Sequence, residues 1–373
     1  MEPKAPLRVG LLPDFEPGAG VYMHALLRDS AYFKKVAEVF GQRLGQVLRE
    51  RDTSKSDPSE FWLRDGAPLR FRQADGTMVL VGYLSAHPKR SAMFDAQRTD
   101  PSDPSRHFYP SPYRPVISSG PQEGTWATHE VMPILLEGGN AVPVGGKLLS
   151  TQKLLTDNAI DWVNEHQLHH LRGEGYVPRS PDQVLAIIAK TFRLQPEGVV
   201  VLPTMPGERT GHADMFALPL AENTVVVPQI RDEFRDVVGF EHERKLGEQV
   251  QGFLEEVTAR LTGLGVQVER LPMLPPTELQ PALGRPEGYV GRFLTPAQST
   301  LFDVVVNGAS QREAFVPTLD YGYGRPYQDL ADAYTREARA LFERYGFRTN
   351  TYDAADLACM YGLGHCVSVP AVG

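Results

Sequence analysis

Gly362-Leu363-Gly364-His365-Cys366-Val367-Ser368-Val369-Pro370 carries one thiol among glycines, next to a run of branched residues. Glycine lets a backbone turn sharply or approach a ligand closely. A thiol in that setting is a nucleophile if a base is at hand, and otherwise a small buried apolar residue. Three other segments are read together with it, two of them also containing glycine: Phe61-Trp62-Leu63-Arg64-Asp65, Leu136-Glu137-Gly138-Gly139-Asn140 and Thr210-Gly211-His212-Ala213-Asp214-Met215. Most of them adjoin apolar runs, so their polar residues sit at strand ends, where they can converge on one cleft.

His212 is the candidate base for Cys366. Asp214 follows it by two positions, and in an extended segment residues two apart share a face. Asp65 and Glu137 add two more carboxylates. One thiol, one imidazole and three acids suit a planar cation with several N–H donors, a guanidinium, because carboxylates bind it bidentately. Each residue also has a plainer reading. Glu137 fits a turn cap, Asp65 a salt bridge to Arg64, and Trp62 packing as well as ligand contact. His365 adjoins Cys366, and neighbouring side chains in a strand point apart, so it reads as a supporting residue and not the base.

Outward from these segments, helices and strands alternate. Apolar spacing predicts helices over Ala31–Arg51, Pro181–Leu194 with Ser180 as N-cap, Glu243–Leu264 closed by Gly265, and Tyr327–Tyr345 closed by Gly346. Branched runs predict strands at Met78–Leu84, Lys147–Ser150, Val199–Leu202, Met215–Leu220, Thr224–Val227, Val266–Leu271, Phe302–Val306 and Phe315–Pro317. The pattern is α/β, with hairpin-close pairs that make the sheets mixed. Proline-rich stretches near 99–121 and 272–286 read as loop insertions in one domain spanning 1–373.

Composition narrows the function classes. The chain has 373 residues, 42% of them hydrophobic, enough for a substantial core. A net charge of −8 without a basic stripe argues against nucleic acid as partner. Two cysteines, Cys359 and Cys366, make no disulfide framework, and Cys359 reads as a core residue. Met1–Gly10 has no apolar core of a signal peptide, and no run approaches the ~20 apolar residues of a membrane span. The expectation is a soluble cytoplasmic protein with no membrane partner; a homo-oligomer is left open. In Asn164–His170, His166 and His170 are four apart, but Glu165 precedes the first instead of following it as a zinc-protease motif requires. No metal and no organic cofactor are expected.

The order Trp-x-Arg-Asp, Glu-Gly-Gly-Asn, Gly-His-x-Asp and a late His-Cys, running from Trp62 to Pro370, resembles the guanidino-group-modifying enzymes of the pentein superfamily. These include agmatine, arginine and peptidylarginine deiminases and amidinotransferases. The resemblance implies the pentein fold, a five-fold pseudosymmetric α/β propeller of ββαβ-type units around a substrate channel. It also implies roles. Cys366 would attack the guanidinium carbon, and His212 would protonate ammonia and then activate water. Glu137 would orient His212, and Asp65 and Asp214 would bind the guanidinium nitrogens. Trp62 would pack over the guanidinium plane, a cation–π contact worth up to roughly 2 kcal/mol. The implied activity is a hydrolase converting a guanidinium to a ureido group, with a small cationic guanidine such as agmatine, or an arginine-containing peptide, as substrate. Agmatine deiminases usually carry Thr-Gln directly after the His-Cys pair, whereas Val367-Ser368-Val369-Pro370 stands here, so both substrates stay open. An amidinotransferase, or a non-catalytic binding protein, would use the same residues.

Overall fold

The computed structural model describes residues 10–12, 20–24, 28–41, 44–48, 64, 69–76, 78–84, 116–117, 128–160, 177–208, 210–233, 241–276, 298–306, 308–318, 325–354, 357 and 363–371. In chain order, β1 (Gly10–Leu11) and β2 (Gly20–His24) lead through helix α1 (Ala31–Phe40) to β3 (Leu44–Leu48). Then come β4 (Leu69–Arg72), β5 (Met78–Leu84), β6 (Val116–Ile117) and β7 (Thr128–Leu135). The hairpin β8 (Val142–Val144) and β9 (Lys147–Thr151) is followed by helices α2 (Lys153–Asp157) and α3 (Pro181–Thr191) and strand β10 (Val199–Leu202). Next are β11 (Leu218–Ala221), β12 (Thr224–Gln229), α4 (Glu241–Gly263) and β13 (Gln267–Pro272). After these run β14 (Thr300–Val306), β15 (Ala309–Thr318), α5 (Arg325–Arg344) and β16 (Arg348–Asp353). The turn α6 (Gly364–Val367) and β17 (Ser368–Ala371) end the described chain.

The strands form five sheets built on one pattern: a strand paired antiparallel on one side and parallel on the other. Strand β9 lies between β8 and β10, β12 between β11 and β13, and β15 between β14 and β16. Likewise β5 lies between β4 and β7, and β2 between β17 and β3. A parallel neighbour needs a crossover connection. Helices α1, α3, α4 and α5 supply it in four of the sheets. The pairing of β17 with β2 joins the two ends of the described chain in one sheet, and this brings the Cys366 segment against residues from the chain's beginning.

The mixed α/β character matches the expectation, and so do most elements. Helix α3 starts with a capping box: Ser180 Oγ accepts from Gln183 N, and Gln183 Oε1 accepts from Ser180 N, with Pro181 in the first turn. Its Val184 and Ile188, one turn apart, are buried in one cluster with Phe71, Val81 and Leu148, each worth roughly 1.5–3 kcal/mol. Gly265 (φ 78°) and Gly346 (φ 81°) end α4 and α5 in the left-handed conformation.

Two elements differ from the periodicity reading. The helix over Ala31–Arg51 stops at Phe40, where Gly41 takes φ 51°, and Leu44–Leu48 forms β3, parallel to β2. Leu44 and Leu48 share a face in a helix and in a strand alike, Val47 joins them only in a helix, and pairing with β2 makes the segment a strand. Residues 49–51 lie outside the described residues. The strand over Met215–Leu220 begins only at Leu218, because Ala213–Met215 is a 3-10 turn. Of the two proline-rich insertions, Val116–Ile117 is a strand paired with β3 and 272–276 continue from β13; the rest, like Cys359 and Asn164–His170, lies outside the described residues. Among the described residues, no helix is long and apolar enough to cross a membrane.

Candidate active site

Glu137 follows β7 and precedes a 3-10 turn, Gly138–Asn140. It stands at the turn's N-cap position, yet its side chain makes no cap hydrogen bond, so the plain capping reading fails. The carboxylate instead reaches His212, with Oε2 2.6 Å from Nε2. The glycines beside it are set by close approach. A side chain on Gly138 would collide with the Arg64 carbonyl oxygen and lie 2.8 Å from the Tyr83 hydroxyl. A methyl group on Gly139 would lie 2.6 Å from His212 Nδ1 and 2.9 Å from Asp214 Oδ2. Asn140 Oδ1 accepts from Thr151 N at 2.9 Å and Ala213 N at 3.2 Å, tying this turn to β9 and to the His212 segment.

His212 and Asp214 converge, though not by strand alternation. His212 is extended (φ −89°, ψ 147°), and Asp214 lies inside the 3-10 turn that follows. Both side chains border Gly139. Gly211, at φ 69°, makes the bend that brings them there. Glu208 braces the bend, its carboxylate accepting from Thr210 N at 2.8 Å and Gly211 N at 2.6 Å. With Nε2 facing Glu137, the His212 Nδ1 is left on the side of Gly139 and Asp214. A proton on Nε2 is the assignment that satisfies the Glu137 contact.

Cys366 is buried, in the one-turn helix α6. His365 and Cys366 therefore do not point apart as strand neighbours would. His365 Nδ1 donates to Asp214 Oδ2 at 2.8 Å, and the Cys366 thiol approaches the same oxygen at 3.9 Å. The supporting role expected of His365 is thus a bond to a carboxylate of the site. Several groups hold this turn. Arg64 donates to the carbonyls of His365 (3.2 Å) and Ser368 (2.9 Å). Gly364 N donates to the Tyr352 hydroxyl at 3.0 Å, and Ser368 Oγ donates to the Gly364 carbonyl at 2.6 Å. The Tyr32 hydroxyl lies 2.9 Å from Ser368 Oγ. Burial holds the Tyr352 phenol well above the usual tyrosine range, so it stays a neutral partner.

Asp214 is 1% exposed, and its second oxygen, Oδ1, is buried with no hydrogen-bond partner among the described residues. Buried carboxylate oxygens are costly to leave unpaired, so this atom calls for a donor. Trp62 and Asp65 lie outside the described residues. Arg64, between them in the chain, touches two of the other three motifs, through Gly138 and through the Cys366 turn.

Sequence reasoning missed Lys153. Its Nζ lies 3.5 Å from Glu137 Oε2 and bonds Asp157 Oδ2 one helical turn away. Burial works to lower the Lys153 pKa, but Glu137 and Asp157 outweigh it and the net shift is upward. Asp157 is raised by burial, against the pull of Lys153. The four-residue spacing of Lys153 and Asp157 is visible in the sequence; the contact with Glu137 is not. Among the described residues, no group of three His, Cys, Asp or Glu side chains has the disposition of a metal site. The assembled groups can move a proton at His212, hold a cation at Asp214 and present a thiol beside it.

Neither a scan of protein-family models nor a search of curated proteins finds a match. Solved structures do match over nearly the whole length. A substrate-bound agmatine deiminase from C. jejuni aligns with TM-score 0.57 at 13% identity, covering 98% of this chain and 97% of that one. The agmatine deiminase of Enterococcus faecalis aligns at 0.57 and 14%, covering 97% and 96%. A candidate arginine deiminase from Porphyromonas gingivalis aligns at 0.61 and 17%, covering 96% and 97%. The chain therefore shares the mixed α/β fold of these solved deiminase structures, the kind of fold that the resemblance of its four motifs implies.

Proposed function

We propose that the chain is a cysteine-dependent deiminase that hydrolyses the guanidinium of an arginine derivative, agmatine or a peptidylarginine, to a ureido group and ammonia. The observation that carries this reading is Asp214 Oδ1, buried without a hydrogen-bond partner among the described residues, on a carboxylate that borders the Cys366 thiol and shares the Gly139 position with His212. A guanidinium N–H is the donor that such an oxygen lacks, and binding it puts the guanidinium carbon near the sulfur. Asp65 and Trp62, adjoining the Arg64 anchor in sequence, would complete the grip on the cation.

The steps follow from these groups. The Cys366 sulfur, as thiolate, bonds to the guanidinium carbon. His212, protonated, gives its proton to the departing nitrogen, and the C–N bond breaks to release ammonia. Water then attacks the resulting thiouronium carbon while His212 takes a proton from it. The C–S bond breaks, returning the thiolate, and the second proton of the attacking water leaves from the hydroxyl to solvent, where ammonia takes it up, so the neutral ureido product is released. Glu137 stabilises the imidazolium in both half-reactions. The repeated strand pattern of the five sheets supports their arrangement as a five-fold propeller about the substrate channel, within one catalytic domain.

The test is to incubate the protein with agmatine, free L-arginine and an N-blocked arginine amide, and to measure ureido product and ammonia, with Cys366→Ala as control. Product from one substrate, lost in the variant, is the expected result and fixes the substrate class. Product formed only when an acceptor amine is added would replace hydrolysis with amidino transfer. No product under either condition would overturn the reading.

A further inference from the structure

We propose that Lys153 is a positioning residue that sets the proton affinity of His212 through Glu137. This rests on the deiminase reading, in which His212 must give up a proton and take one back in each cycle.

Four charged or ionisable side chains stand in a row. Asp157 bonds Lys153, Lys153 lies 3.5 Å from Glu137 Oε2, and that same oxygen lies 2.6 Å from His212 Nε2. The row is shielded: the side chains of Asp157 and His212 are 12% and 5% exposed, while Glu137 and Lys153 are about one-quarter exposed. Lys153 is held from its stem as well as its head. Its Cδ would lie 3.1 Å from a methyl group on Gly211, the residue before His212, so the stem fills the space that the glycine leaves. Thr151 Oγ1 accepts from Lys153 N at 3.3 Å and donates to the Gly211 carbonyl, tying the helix start to the His212 segment.

The consequence is electrostatic. A lone carboxylate against the imidazole would favour the imidazolium and hold its proton to high pH. The same carboxylate shared with an ammonium favours it less, so the imidazole can release the proton nearer neutrality, where general acid–base catalysis works best. Asp157 opposes Lys153 in turn, and it interacts electrostatically with His212 as well. Among the described residues, Asp214 also faces His212 across Gly139, with His365 and Cys366 beyond it on the same carboxylate oxygen. Those stay constant when Lys153 is changed.

The variants have opposite signs, which general damage to the fold does not produce. Lys153→Met removes a positive charge from the row and should move the His212 titration to higher pH by about one unit. Asp157→Asn leaves Lys153 less opposed and should move it to lower pH. Lys153→Arg should keep the wild-type value. Two readouts are needed: the pH profile of ureido formation, and the NMR titration of the His212 ring in protein without substrate. The second is available even if wild type turns over no guanidine, so failure of the deiminase reading and failure of this one are distinguishable. If Lys153→Met misfolds, the Asp157→Asn shift decides. A His212 titration unmoved in a folded Lys153→Met protein, or moved the same way by both variants, overturns the proposal.

Discussion

Replacing Gly139 with alanine adds one methyl group at the point where the site is tightest. That carbon would lie 2.6 Å from His212 Nδ1 and 2.9 Å from Asp214 Oδ2, against ordinary contact distances of 3.4 Å or more. Something must move by about half an ångström to an ångström, and neither neighbour is a loose side-chain end. His212 is anchored at 2.6 Å to Glu137, and Asp214 at 2.8 Å to His365; both are buried. Overpacking of this kind costs roughly 1–3 kcal/mol, and a catalytic group displaced by about 1 Å costs on the order of 100-fold in rate. Gly139→Ala should therefore lower kcat/KM for ureido formation about 100-fold, with a stability loss of roughly 1–3 kcal/mol by urea denaturation. Gly252 in α4 is the control, since a methyl group there meets nothing within 4 Å. Gly252→Ala should leave activity unchanged and raise stability by about 0.5–1 kcal/mol through helix propensity. A Gly139→Ala enzyme with wild-type kcat/KM would refute the claim that His212 and Asp214 are fixed against this glycine.

Three further outcomes follow from named contacts. Arg64→Ala should lower kcat more than tenfold while the protein stays folded, because it frees the His365 and Ser368 carbonyls that set the Cys366 turn; hydrogen bonds to charged groups of this kind contribute about 1.5–3 kcal/mol each. A guanidine ligand that binds without reacting should raise the thiolate absorbance of Cys366 at fixed pH, since it brings a cation to the sulfur; an unchanged absorbance would show that a bound guanidinium does not promote the thiolate. Burial pushes the Tyr334 phenol up to about 12. A folded-state value above the unfolded one means stability that is full below about pH 10 and lost as pH rises towards 12, so the urea midpoint should fall across that window and Tyr334→Phe should flatten the fall.

How much of this can be read from the chain alone depends on what sets each feature. Cys366, His212, Glu137 and Asp214 are legible because each sits in a short motif with glycine beside it, and the structure brings all four to one place. The routes by which they meet are not legible. Alternation along a strand predicts that His212 and Asp214 share a face and that His365 and Cys366 do not. A 3-10 turn and a helical turn replace those strands, and both pairs converge. Turns this short leave no periodicity to detect. Leu44 and Leu48 share a face in a helix and in a strand alike, and only the partner strand Gly20–His24 chooses between them. Lys153 shows the same limit at the level of chemistry. Its spacing from Asp157 is local, but its contact with Glu137 exists because the β8–β9 hairpin folds the chain back on itself. The residues that bond-making would use are therefore marked by their own motifs. The residues that tune them are marked only by the topology, which is why variants of Lys153, Arg64 and Gly139 test the fold of the site, and Cys366→Ala tests only its chemistry.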